Sequence, residues 1–124
     1  MKKNIQIKES LLSNCMNQHD HDVRSLAWHK HIVICMRDNP VLLKKAKTIL
    51  NRWLLRDSQR SLPYLLEWKR ILDSDITVIA SIACDEGEKS TALRQCSPLS
   101  CVLPNQERLK FWRSWRDLHE KTRT

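Results

Sequence analysis

The stretch that decides the fold runs from Asn39 to Asp73, NPVLLKKAKTILNRWLLRDSQRSLPYLLEWKRILD, and it reads as two amphipathic helices joined by a short polar turn. In the first helix Leu42, Ala46, Ile49 and Trp53 recur at helical spacing, and Leu43, Leu50 and Leu54 widen the stripe. Lys44, Lys45, Lys47, Asn51 and Arg52 fill the other arc. Asn39-Pro40 is a start signal: the Asn oxygen accepts from a free N–H, and Pro has no N–H to orphan. In the second helix Leu65, Trp68 and Leu72 share a face, and Pro63 marks its start.

Working outward, the chain of 124 residues fits one domain with one modest core. Gly87 is the sole glycine, and β-branched alternation is nearly absent, so tight hairpins and a sheet are not expected. The expected fold is all-α, a compact bundle of five to seven helices. On the N-terminal side, residues 23–37 turn helical, with Leu26, Ala27, Trp28, Ile32, Ile34 and Cys35 making a broad apolar surface that Asp38-Asn39-Pro40 ends. Residues 1–22 are expected to be a mobile segment, residues 23–120 the helical domain, and 121–124 a tail.

On the C-terminal side, SDITVIASIAC (74–84) suits a strand by its Ile, Thr and Val. No second strand is available to pair with it, so a buried helix capped by Asp73 or Ser74 is expected. Asp85, Glu86, Gly87 and Glu88 form an acidic turn, Glu88 to Gln95 another short helix, and CSPLSCVLP (96–104) an apolar connector. Pro104 opens the last helix, where Phe111, Trp115 and Leu118 share the inward face. Trp112 and Leu109 lie around the side, and a tryptophan is expected at the surface.

Net charge is +8, from 22 Lys plus Arg against 14 Asp plus Glu, which favours anionic partners. Cys15, Cys35, Cys84, Cys96 and Cys101 form no CxxC pair and read as reduced thiols packed as small hydrophobes. No apolar run reaches the roughly 20 residues that span a bilayer, and no signal-peptide core follows Lys2 and Lys3. The expectation is a soluble, cytoplasmic protein with no membrane contact.

Cys15 and His19, and His31 and Cys35, are pairs at i, i+4, the geometry by which two helical side chains reach one zinc ion. Bringing both pairs to one ion needs a sharp reversal of a helical segment, and finger spacings are missing. No metal or other cofactor is therefore expected. Glycine-rich phosphate loops, GxSxG and HExxH are absent, nothing marks an activated cysteine, and no enzymatic activity is expected.

Two binding surfaces remain. Lys44, Lys45, Lys47, Arg52 and Arg56 lie on one helix, and Arg108, Lys110, Arg113, Arg116, Lys121 and Arg123 on another. If these faces adjoin they form a basic strip for phosphates, although no recognition helix is arrayed to read base edges. Trp112 and Trp115, set among Arg113 and Arg116, are interface candidates, because Trp and Arg are enriched at binding hot spots.

HKHIVICMRDNPVLLKKAKTILNRWL, PYLLEWKRIL and above all ALRQCSPLSCVLPNQERLKFWR carry a resemblance over residues 24–116. The chain resembles a small helical module of bacterial and phage genes of toxin–antitoxin or mobile-element character. The match falls on Ala92 to Gln95, Pro98, Leu99, Val102, Leu103, Glu107 and Arg108. That module often follows a helix-turn-helix domain, and the 22 residues before the match are too few for one. The resemblance therefore implies an antitoxin-like protein or modulator of a phage-defence factor that occludes a separately encoded partner protein, with Arg94, Gln95, Glu107 and Arg108 as polar residues of the motif. The alternative is a nucleic-acid-binding regulator using the two basic helices.

Overall fold

A computed structural model describes residues 18–56 and 60–123. The expected mobility of residues 1–17 and the Cys15 half of the metal reading lie outside the described residues. Among these, helices follow one another without a strand: α1 (Gln18–Asp38), α2 (Val41–Arg56), α3 (Leu62–Leu72), α4 (Ile76–Ala83), α5 (Glu88–Arg94) and α6 (Asn105–Arg123), with a single 3₁₀ turn at Pro98–Cys101. The chain is an all-α bundle, as its periodicity requires.

The deciding stretch forms the α2–α3 hairpin. Asn39 Oδ1 accepts from Val41 N at 3.2 Å, so the side chain caps α2 as expected. Leu42, Ala46 and Leu50 of α2 and Leu65, Trp68, Ile71 and Leu72 of α3 are buried together. α1 packs on α2 of this hairpin and also on α4, α5 and the 3₁₀ turn. Its Trp28, Ile32, Val33 and Met36 enter the core, but Ile34, read as part of the apolar surface, is 59% exposed. α1 runs from Gln18, so residues 18–22, expected to belong to the N-terminal segment, are part of this helix.

Residues 76–83 are the expected helix, with Ile79, Ala80 and Ala83 inward. Its cap is Asp75, whose carboxylate accepts from Val78 N at 3.1 Å, rather than Asp73 or Ser74. The sole glycine precedes α5 with a negative φ of −70°, so handedness is not its purpose. A β-carbon at Gly87 would meet Asp85 Oδ2 at 2.8 Å, the atom that accepts from Gly87 N. Leu99 and Val102 of the connector are fully buried. Ser97 Oγ holds the turn by accepting from Leu99 N at 3.1 Å.

Candidate functional site

α6 is attached mainly through aromatic rings. Phe111 lies 5.0 Å from Trp28 and 5.0 Å from His31, centroid to centroid, and Trp112 lies 5.8 Å from Trp28. Trp28 is the fixed point: it is buried, and its Nε1 donates to the Ser100 carbonyl at 3.2 Å. Trp115 meets Trp112 edge-on at 6.1 Å. The Arg24 guanidinium sits 4.4 Å from the Trp112 ring centroid and 5.8 Å from that of Trp115. Cation–π contacts of this kind contribute about 0.5–1 kcal/mol at exposed sites. Phe111 pairs with His31, Trp112 with Trp28, and Trp115 with Arg24, so α6 runs antiparallel to α1.

This reverses the expected order of the two tryptophans. Trp112, read as the surface residue, is half-buried against the core together with Phe111, while Trp115 sits at the outer edge of the cluster. Leu118, read as inward, is 62% exposed. At that end α1 offers its polar first turn, Gln18 to Asp22, in place of apolar surface. Arg108, Lys110, Arg113 and Arg116 are all exposed, and Leu109 beside them is 52% exposed.

Arg94 is corrected outright as a surface contact. It is only 5% exposed. Nη1 donates to the Ala83 carbonyl at 2.9 Å and the Asp85 carbonyl at 2.6 Å, and Nη2 to Thr91 Oγ1 at 3.3 Å. The guanidinium thus closes the C-terminal end of α4, where carbonyls lack helical partners. Burial lowers its pKa, against the nearby charges that favour its ionised form, Asp22, Asp85 and Glu86 among them. This fixes a role for the acidic turn: Asp85 supplies a carbonyl to Arg94 and a carboxylate to Gly87. Gln95, next along, is exposed as the C-cap of α5.

His29 was missed by reading the sequence. It is 1% exposed, Nδ1 bonds to the Ser25 carbonyl at 2.8 Å, and Nε2 is buried without a hydrogen-bond partner. Burial holds its pKa down at about 4; the Ser25 bond opposes this and the positive field of Arg94 adds to it. A neutral imidazole donating through Nδ1 is the form this site accepts. Its neighbours at i±2, Ala27 and His31, give no signal in the sequence that separates His29 from a surface histidine.

His31 and Cys35 do meet, Nε2 to Sγ at 3.8 Å. Burial, with Glu107 and Asp38 nearby, pushes the Cys35 thiol up, and burial does the same for Cys84; a nucleophilic thiolate requires the opposite shift. Among the described residues no three His, Cys, Asp or Glu side chains converge as metal ligands.

On α2, Lys44, Lys45, Arg52 and Arg56 are exposed on a helix that contains no acidic residue. Lys47 is half-exposed and pairs with Asp73 at 3.8 Å. α2 packs on α1, α3 and the 3₁₀ turn, whereas the rings of α6 pack on α1. Among the described residues no helix is long and apolar enough to cross a membrane. No protein-family model matches the chain, and no curated protein or solved structure is significantly similar to it.

Proposed function

We propose that this is a non-enzymatic binding protein that occludes a surface of another protein with the outward face of α6. The observation that supports the reading is the composition of that face: half-open Trp112 and Trp115 are bordered by exposed Leu109, Arg108, Arg113 and Arg116. Large aromatic side chains beside guanidinium groups are the residues that dominate interface energies, and here a cluster anchored on Trp28 pre-orders them. The partner surface that fits is apolar with acidic groups at its rim. An antitoxin-like role, or modulation of a phage-defence factor, follows from the sequence resemblance, with the partner encoded separately in the bacterial cytoplasm.

A second reading is favoured by α2, whose Lys44, Lys45, Arg52 and Arg56 form a cationic face without a carboxylate on the same helix. That face suits phosphate contact without base reading. Salt separates the two readings: four phosphate contacts on duplex DNA give a slope of log K against log salt of about −3.6. A Trp-centred protein interface persists at moderate salt. The test is a nuclease-treated pull-down from the native host at moderate salt, with Trp115→Ala alongside. A stoichiometric protein that wild type captures and Trp115→Ala loses supports the α6 reading. Nucleic acid carried only before nuclease treatment moves function to α2.

A further inference from the structure

A shallow groove of about 460 Å³ runs between α1 and α4, lined by Lys30, Val33, Ile34 and Arg37 on one side and Thr77, Ala80, Ser81 and Cys84 on the other. The residues of α1 that hold α6 are Arg24, Trp28 and His31, which project from a different arc of the helix. We propose that this groove docks an amphipathic helix of a partner protein, with apolar side chains on the floor and carboxylates along the Lys30–Arg37 rim.

Charge carries the assignment of the occupant. No carboxylate lines the groove, and α4, ITVIASIA, contains no charged residue. Lys30 and Arg37 stand two turns apart on one edge of α1, about 10.5 Å along the axis, and neither has an ion-pair partner among the described residues. Carboxylates spaced by seven residues on an incoming helix meet both. Between the two cations Ile34 stands largely in solvent, an apolar edge left open to a third helix. Thr77 and Ser81, one turn apart on the opposite wall, keep that wall low enough for close approach.

Other occupants fit less well. A second copy of this chain brings its own net charge of +8. Phosphates, free or on lipid headgroups, gain nothing from Val33, Ala80 and Cys84 on the floor. The inference does not depend on α6, and the test separates the two surfaces.

The probe is a fluorescein-labelled amphipathic helical peptide of about 18 residues, with Leu on one face and Glu at i, i+7 on its edge, compared with the same peptide carrying Lys for Glu. Binding is read by anisotropy, and site occupancy by the alkylation rate of Cys84, with exposed Cys101 as internal reference. The Glu peptide is expected to bind about tenfold tighter or more than the Lys peptide and to slow alkylation at Cys84 alone. Lys30→Glu with Arg37→Glu inverts that preference, Ser81→Trp blocks the groove, and Trp115→Ala leaves binding unchanged; circular dichroism checks that each variant is folded. Equal binding of the two peptides, or binding that leaves Cys84 alkylation unchanged, overturns the proposal. So does protection of Cys84 by raised protein concentration alone, which gives the groove to a second copy, or by phosphatidylserine vesicles, which gives it to lipid.

Discussion

Trp68 and Trp112 show two uses of the same side chain. Trp68 is completely enclosed between helices, and its Nε1 donates to the Leu93 carbonyl at 2.8 Å, joining α3 to the end of α5. Trp112 is half-open, has ring partners on one side, and carries the Arg24 guanidinium over its face. The first locks helices around a common centre; the second attaches a helix at the edge of the core, over Trp28. A region built like the first resists change, and a region built like the second can present side chains to a partner.

The sharpest way to break this contrast is Trp68→Ala, which is expected to cost about 3–5 kcal/mol by emptying a buried site. Against a total stability of about 5–15 kcal/mol, urea denaturation should show a domain at the edge of unfolding. Arg94→Met comes next. Without the guanidinium, the Ala83 and Asp85 carbonyls lose charged donors in a buried place, and a loss of about 3 kcal/mol is expected by the same measurement. A loss under about half a kcal/mol would show that Arg94 is not the closure of α4.

The enclosed region also carries a pH dependence. The pKa of His29 is about 4 in the folded state and about 6.5 in the unfolded chain, so below pH 6.5 the unfolded state binds the extra proton. Stability is full above that pH and falls as pH drops toward 4, by roughly 3 kcal/mol from this group. His29→Gln should flatten that slope between pH 6.5 and 4 in urea titrations. If wild type and variant lose stability in parallel, His29 is not its source.

Smaller effects belong to the attached region. Trp112→Ala should cost about 1–2 kcal/mol, less than Trp68→Ala because much of the ring is already hydrated. Trp115→Ala should cost under about 1 kcal/mol in urea while reducing partner capture. If Trp115→Ala is as damaging to stability as Trp68→Ala, the contrast fails and α6 belongs to the core.

Several of these features are legible in the order of residues alone. Asn39-Pro40 and Pro63 mark the starts of the hairpin's two helices because capping and the missing proline N–H act within a few residues. Leu65, Trp68 and Leu72 sit on one face by period alone. The identity of residues 76–83 is harder to read, since ITVIASIA suits either state and only the lack of a strand partner favours a helix.

For Arg94 the polar motif points to the surface, and nothing local states that two carbonyls from residues 83 and 85 will surround it. The order of Trp112 and Trp115 is illegible for the same kind of reason. Both lie on a broad apolar arc, and which one turns inward depends on where α1 places Trp28 and Arg24.

What the sequence determined by itself is the all-α character, the hairpin and its cap, the buried face of α3, and Leu42 and Ala46 of α2 (Ile49 and Trp53, on the same predicted stripe, are only half-buried). These follow from forces acting over one or two helical turns: backbone hydrogen bonding, capping and the 3.6-residue period. The tertiary structure alone decided which polar groups are inside and which apolar ones are outside. Arg94 and His29 are enclosed and Ile34 and Leu109 exposed because burial is set by what the neighbouring helices place opposite each side chain.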